Sequence, residues 1–282
     1  KYPECGPLET PARIAEMADY VRRNDRQCHI GPDEESCHRQ VHYSDIAVQR
    51  SRYALGFVGT RADDVAGALR TAILVLQGKP VNGPPQFKSK REALLVLVHL
   101  VGDIHQPLHV GSLYLDAQGR RVDPDKTGLD PASFTVGGNS LWVVGAPHPA
   151  PAPSGPSAPV TAGFGPLKLH TLWDSVPDKL KPQRVDAAWL AEARRVHANT
   201  GDPADWPGRW ATQSLEQSRL AFEGLTFSPR EGAHWKVVLP HGYSARAVRG
   251  NWLYQKYHTV AEATALAKQY IGADAQYVEL AG

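Results

Sequence analysis

The sequence predicts a mainly α-helical protein, and three observations support this prediction. Six segments repeat apolar residues at helical spacing. Each is flanked by residue types that begin or end helices. Few runs show the alternation of apolar and polar residues that is typical of a strand. The chain has 282 residues, 42% hydrophobic and 21% charged, with a net charge of +2. This composition is typical of a globular protein with a sizeable core, and the charge favours no class of partner. We predict a single domain over residues 1–282.

The helices can be assigned in order along the chain. The first covers "TPARIAEMADYVRRN", with Thr10 as its N-cap and Pro11 at its first helical position. The third begins with a Ser89/Glu92 capping box. The five helices predicted after the first cover residues 62–78, 89–105, 186–200, 209–225 and 257–272. Residues 146–166 are rich in Pro, Ala and Ser, so we predict a loop there.

Residues 93–110, "ALLVLVHLVGDIHQPLHV", place polar groups in an otherwise aliphatic helix. His99 and Asp103 are four residues apart, so their side chains share one face. Pro107 ends the helix and places His109 just beyond it. Burying a charged group without a partner costs several kcal/mol. A bound cation therefore explains the pattern better than the alternative, a core histidine bonded to the aspartate.

The same spacing occurs a second time in "PLKLHTLWDSVPD", where a short helix carries His170 and Asp174. Asp19 lies on the first helix, and "VHYSDI" supplies His42. Nitrogen and oxygen ligands without cysteine leave zinc a strong Lewis acid, which suits hydrolysis. The candidate ligands are too many for one ion and predict a multinuclear site: Asp19, His42, His99, Asp103, His109, His170 and Asp174.

These motifs resemble those of the zinc-dependent S1/P1 nuclease family, which includes single-strand nucleases and 3'-nucleotidases. The resemblance is carried by "MADYVR", "HYSD", "HLVGDIHQPLHVG", "GGN" and "LHTLWDS", and it extends from about residue 10 to about residue 225. It implies a single zinc-dependent nuclease domain with the multi-helix fold shared with zinc phospholipase C. It also implies two ligand sets, one of Asp19, His42, His99 and Asp103 and another of His109, His170 and Asp174.

The resemblance further implies which residues act on the phosphate. Zinc ions held by Asp103 would activate the attacking water, and Arg22, near Asp19 on the same helix, would contact the phosphate. A solvated arginine beside Arg23 is the alternative. The implied reaction is endonucleolytic hydrolysis of single-stranded DNA or RNA to 5'-phosphate products, together with 3'-nucleotidase activity.

Three further residues would bind the nucleotide if the resemblance holds. Tyr43 would stack on an unpaired base, and Asp45 would accept hydrogen bonds from its amino or imino groups. Tyr43 as a core aromatic residue remains the alternative. Asn139, in a glycine turn within "VGGNSLW", would add a polar contact.

The sequence departs from the family pattern at the third zinc. Family members bind this ion with an N-terminal Trp, a nearby His and the aspartate that matches Asp103. This sequence begins with Lys1 and has neither Trp nor His before Asp19, and Gln213 stands where the family usually has Glu. Either upstream residues are missing from the chain or one metal has been lost. The alternative functions are a zinc phospholipase C-like phosphodiesterase and a zinc-binding protein with impaired catalysis.

The three cysteines, Cys5, Cys28 and Cys37, all lie in the first 40 residues. We predict a Cys28–Cys37 disulfide in an exported protein, with reduced thiols in a cytosolic protein as the alternative. No apolar run approaches the roughly 20 residues that span a bilayer, and the first ten residues contain no signal-peptide core. The sequence therefore predicts a periplasmic or secreted monomer whose signal peptide is not in this chain.

Overall fold

The computed structural model of the protein describes residues 11–24, 39–143, 167–174 and 186–238. Within these residues the fold is mainly α, as predicted, with seven α-helices and only small sheets. The helices are α1 Pro11–Asn24, α2 Val65–Leu76, α3 Lys90–His105, α4 Pro124–Thr127, α5 Leu169–Asp174, α6 Ala187–Arg195 and α7 Trp206–Phe222. The strands are β1 Ile46–Ala47, β2 Gly111–Ser112, β3 Leu141–Val143, β4 Leu167–Lys168, β5 Thr226–Phe227 and β6 Trp235–Val238.

The chain divides into two compact units. The first unit takes its residues from Lys1–Ser112, Pro124–Lys126 and Ala198–Arg219, and the second takes the rest. The single domain expected over residues 1–282 stays a prediction. The loop predicted at 146–166, the helix predicted at 257–272 and the Cys28–Cys37 disulfide lie outside the described residues.

Helices α2, α3 and α7 supply most of the hydrophobic core of the first unit. Its fully buried side chains include Leu69, Leu100 and Leu215, one from each helix. Helix α1 packs on α3 within the same unit. Burial of apolar side chains on several helices stabilises the packing by about 25 cal/mol per Å² of apolar surface. The core therefore holds α3, which carries two of the predicted ligands, as a rigid support.

The helix boundaries follow local capping rather than apolar periodicity alone. Helix α2 begins at Val65, later than predicted, because the Asp64 carboxylate accepts the N–H groups of Ala66 and Gly67. Ser89 caps α3 as predicted, with Glu92 N–H donating to its hydroxyl at 3.1 Å. Periodicity locates a helix, but the cap fixes its first residue.

The return bond of the predicted capping box is different. The Glu92 carboxylate accepts the N–H of Lys88 at 2.6 Å, one residue before the N-cap. Helix α6 ends at Arg195, before the predicted end, and α7 begins at Trp206, before the predicted start at Arg209. A short 3₁₀ turn, Pro203–Asp205, leads directly into α7 and explains its earlier start.

A short parallel pairing in the first unit positions two predicted ligands. β1 pairs with β2, with Ile46 opposite Gly111. The Ser44 N–H donates to the His109 carbonyl at 2.7 Å, which continues the pairing toward the ligands. Gly111 is required there because a Cβ at this position would lie 2.4 Å from the Ser218 side chain. The pairing holds the segment after His42 beside the turn that carries His109.

The second unit contains a four-stranded sheet with the order β4-β3-β6-β5. β3 and β6 are parallel, and the other two pairs are antiparallel. Trp235 of β6 is 1% exposed, and its indole N–H donates to the Asp116 carbonyl at 3.0 Å. These strands have only two to four residues each, too short to give a clear alternating pattern in the sequence.

Candidate metal centre

The candidate centre is built on the buried side of α3. The His99 Nε2 lies 3.0 Å from the Asp103 Oδ2, so the predicted sharing of one helix face is confirmed. The other ring nitrogen, Nδ1, contacts the carbonyl oxygen of Ala15 in α1. A carbonyl can only accept, so Nδ1 carries the proton and, in the neutral ring, Nε2 directs its lone pair at Asp103.

His42 and Asp19 approach the same point. His42 ends a 3₁₀ turn, and its Nδ1 lies 2.9 Å from Asp103 Oδ2 and 3.0 Å from His99 Nε2. Ligand atoms of Asp19, His42 and His99 all lie within 4.8 Å of one another. A carboxylate oxygen and two imidazole nitrogens at one point repel each other unless a positive charge lies between them. The donor set therefore fits a metal cation.

His109 lies on the other side of Asp103. It ends the 3₁₀ turn Pro107–His109, and its Nδ1 lies 3.0 Å from the His42 carbonyl and 3.5 Å from Asp103 Oδ1. As with His99, the carbonyl fixes the proton on Nδ1 and leaves Nε2 available as a ligand. Asp103 thus directs one oxygen at His42 and His99 and the other toward His109.

The charge of the cluster is set mainly by Asp103. Burial by itself raises the pKa of this carboxyl, but hydrogen bonds from His42 and from the protonated form of His99, with the charge of His109, outweigh it and hold the pKa well below its usual range. Burial lowers the pKa of His99, while the bond to Asp103 and its charge raise it above the ordinary value overall. The cluster therefore attracts positive charge, either a proton or a metal ion.

Two serines on α7 support the ligand segment from behind. The Ser214 hydroxyl donates to the Ile104 carbonyl, and the Ser218 hydroxyl donates to the Pro107 carbonyl at 2.6 Å. The Ile104 carbonyl belongs to the last turn of α3, where helix geometry provides no partner. The Pro107 carbonyl lies in the turn after it and also accepts the Val110 N–H at 3.0 Å. These serines are not among the residues predicted from the sequence. Their spacing of four residues predicts a shared face of α7 but not the carbonyls that they contact.

The residues predicted to bind the nucleotide adjoin His42 along the chain. Tyr43 is half-buried, while Asp45 is only 6% exposed and its N–H donates to the Gly59 carbonyl at 2.9 Å. Arg22 lies on α1, three residues after Asp19, and its side chain lies outside the described part of the chain.

The second unit contains the other predicted pair. His170 and Asp174 lie on α5, with Nε2 and Oδ2 3.6 Å apart. The Nδ1 of His170 lies 2.8 Å from the Gly137 carbonyl, which again leaves Nε2 available as a ligand. Asn139 donates its side-chain N–H to the Val136 carbonyl at 3.1 Å. This predicted contact residue therefore bonds within the glycine turn that positions His170.

The fold and the cluster define a mainly helical protein with a candidate metal centre. Residues 8–279 match the family described as S1/P1 Nuclease. The match covers nearly the whole chain, so the protein belongs to the S1/P1 nuclease family, and it is accordingly a nuclease, a hydrolase acting on nucleic acids. The family is generally zinc-dependent and its members are generally secreted. No curated protein sequence matches the chain significantly.

None of the described helices is long and apolar enough to cross a bilayer.

Proposed function

We propose that the protein is a zinc-dependent phosphodiesterase that cleaves single-stranded DNA or RNA endonucleolytically, leaving 5'-phosphate products, and that it also acts as a 3'-nucleotidase. It would do so as an exported monomer. The observation that carries this proposal is the convergence of His42 and His99 on Asp103, each at about hydrogen-bond distance. Membership of the S1/P1 nuclease family supports the same reaction class.

The donor set supports zinc as the metal, because imidazole nitrogens and carboxylate oxygens are its usual ligands in hydrolases. We assign one zinc to Asp19, His42, His99 and Asp103 and a second to His109, His170 and Asp174. Fixed tautomers support this assignment, since a backbone carbonyl faces the Nδ1 of His99, His109 and His170. Rings held in this way lose little freedom when their Nε2 atoms bind a metal.

Catalysis would divide between the metals and the surrounding side chains. Bound zinc supplies positive charge to the phosphate and lowers the pKa of a water molecule. Asp103 holds the cluster together through both of its oxygens. Arg22 would donate two parallel hydrogen bonds to a phosphate oxygen pair, which orients the phosphodiester for attack.

Substrate choice would come from the residues that follow His42. Tyr43 would stack on a base, and Asp45 would accept from its amino or imino groups, with Asn139 as a further polar contact. A base inside a duplex exposes neither its face nor these groups, so this mode of binding requires an unpaired base. Single-strand preference follows from the chemistry of the two side chains.

The test uses zinc-loaded protein on matched single- and double-stranded oligonucleotides. We expect faster cleavage of the single strand, product ends with 5'-phosphate, and release of inorganic phosphate from adenosine 3'-monophosphate. A chelator should abolish all three, and added zinc should restore them. Equal rates on both strands, or cleavage that survives the chelator, would contradict the proposal. Hydrolysis of phosphatidylcholine vesicles in place of nucleic acid would favour the phospholipase-like alternative.

A further inference from the structure

The loop between β1 and α2 contacts the backbone of Asp45, one of the proposed base-binding residues. The contact is so close that only glycine fits at position 59 of the loop. The Gly59 carbonyl accepts the Asp45 N–H at 2.9 Å and the Ser44 hydroxyl at 3.4 Å. A Cβ at Gly59 would lie 2.0 Å from the Asp45 carbonyl oxygen, and Gly59 has a φ of +84°. The position of Gly59 therefore determines where the backbone of Asp45 lies.

The residues just before Gly59 are held by a carboxylate distant in sequence but in the same unit. The Val58 N–H donates to the Asp125 Oδ1 at 2.8 Å. The other oxygen of Asp125 forms an ion pair with the Arg50 Nε at 3.5 Å. The Arg50 guanidinium lies 5.4 Å from the centre of the Phe57 ring. One carboxylate thus contacts the loop near its start, at Arg50, and directly before Gly59, at Val58.

The ion pair is largely buried, which argues that it has a specific role. The side chains of Arg50 and Asp125 are 16% and 13% exposed, and burial of two charges is costly compared with an apolar pair of similar size. The tip of the loop, by contrast, is open to solvent, with Leu55 61% exposed. On either side of the tip, Tyr53 and Phe57 pack against the core, and the Tyr53 N–H donates to the Thr212 hydroxyl at 3.1 Å. The Asp125 contacts add the hold on Val58, directly before Gly59.

We propose that Asp125 and Arg50 are positioning residues for base recognition, acting through Val58 and Gly59 on Asp45. Loss of the Asp125 acceptor lets Val58 and Gly59 move, which displaces the backbone of Asp45 and its carboxylate. The inference rests on the proposed function, in which Asp45 reads the amino and imino groups of the base. It adds a specificity element that lies outside the metal ligands.

The test compares Asp125→Ala and Asp125→Asn with wild type on the four nucleoside 3'-monophosphates. For Asp125→Ala we expect KM for the preferred base to rise about tenfold, kcat to stay within about twofold, and the preference among bases to narrow. Asp125→Asn keeps an oxygen acceptor for Val58 but loses the charge opposite Arg50, so it should give a smaller rise. Zinc content should match wild type in both variants.

The matched control is Asp130→Asn, which alters a carboxylate that caps a turn in the second unit by accepting the Ala132 N–H. It should leave KM and base preference unchanged. If Asp125→Ala fails to fold, the Asp125→Asn comparison carries the test. An unchanged KM and base preference in the Asp125 variants, or a fall in kcat and zinc content at constant KM, would overturn the positioning role.

A binding measurement separates this inference from the proposed reaction. Nucleoside 5'-monophosphates are titrated calorimetrically into wild type and the Asp125 variants. If wild type binds with a base preference that the Asp125 variants lose, yet hydrolyses nothing, the positioning role stands and the proposed reaction fails. If wild type binds none of the four nucleotides, both proposals fail.

Discussion

Two His-x-x-x-Asp pairs with identical spacing have different surroundings in the two units. His99 and Asp103 are largely buried, with side chains 10% and 14% exposed and their nearest ligand atoms 3.0 Å apart. His170 and Asp174 are 3.6 Å apart, and the Asp174 side chain is 45% exposed. Asp103 also contacts His42 and His109, which come from two other segments of the first unit.

The difference separates two ways of preparing a ligand. In the first unit, contacts from α1, two 3₁₀ turns and α7 fix the geometry around Asp103 before any ion binds. In the second unit, the Gly137 carbonyl fixes the ring of His170, while the Asp174 side chain is more exposed than that of Asp103. A more exposed carboxylate has more hydration to lose when a metal binds, which adds a cost that the buried Asp103 has already met on folding. The first pair should therefore bind its ion more tightly than the second.

The substitution expected to have the largest effect on this difference in zinc affinity is Asp103→Asn. The amide keeps the shape but removes the negative charge between His42 and His99, so those nitrogens lose the group that attracts a cation. We expect zinc affinity at the proposed first site to fall at least about a hundredfold and kcat/KM to fall about a thousandfold or more. Zinc per chain and the rate on a single-stranded oligonucleotide measure the two effects.

The control for this variant is Asp205→Asn, which alters an exposed carboxylate that pairs with Arg70 in the same unit. It should retain full zinc content and activity. If the Asp103→Asn protein binds zinc as tightly as wild type, the cluster around Asp103 is not the metal centre that we propose.

His170→Ala is expected to have the next largest effect. It removes a ring of the proposed second site and leaves the contacts around Asp103 unchanged. We expect the variant to lose about one zinc per chain and about a hundredfold in rate, while the first zinc stays bound. Elemental analysis after dialysis against a weak chelator gives the count. Loss of all zinc would show that the two sites do not bind independently.

The sequence predicted more of the ligands than of their supports. The i, i+4 spacing places His99 beside Asp103 on any helix, so this contact followed from helical geometry. The serines at 214 and 218 were missed because a serine on a helix face carries no sign of the carbonyl it will meet. The same limit applies to Asp125, whose contact with Val58 joins residues 67 positions apart. Short-range periodicity contains no information on such pairings.

Ser218→Ala should weaken zinc binding in the first unit although it removes no ligand. The hydroxyl donates to the Pro107 carbonyl and contacts the Ser214 carbonyl within α7, and Ser218 is 0% exposed. Its loss leaves the Pro107 carbonyl with the Val110 N–H as donor, at a cost of about 0.5–1.5 kcal/mol in the free energy of unfolding. The turn carrying His109 then loosens, and we expect zinc affinity to fall about tenfold.

Urea unfolding and zinc competition titrations measure these two quantities. Ser228→Ala is the matched control, because its hydroxyl accepts the Lys236 N–H near the surface of the second unit. If the Ser218→Ala protein loses as much stability as the control and keeps its zinc affinity, Ser218 contributes to the stability of the fold and not to the zinc site.

The smallest expected effect comes from Asp202, at the surface of the first unit. Its carboxylate accepts the Ala204 N–H and bonds to Lys79 and Gln77, which together lower its pKa to about 2. A carboxyl whose pKa is depressed on folding contributes stability that is present above its ordinary pKa, near 4, and is lost as the pH falls toward 2. Because the group is exposed, solvent screens the pair and the contribution is small.

Asp202→Asn therefore tests whether acid destabilises the first unit through its surface or through its ligand cluster. We expect the metal-free variant to melt no more than about 2 °C below metal-free wild type at pH 7. The two proteins should converge as the pH falls from about 4 to about 2, because folded wild type loses the charge of Asp202 near pH 2. A difference in melting temperature that stays constant from pH 7 to pH 2 would show that the charge of Asp202 contributes nothing. If instead Asp202→Asn abolished the acid sensitivity of the first unit, the surface carboxylate would outweigh Asp103, and the rigidity that we assign to the buried cluster would depend on the surface pair.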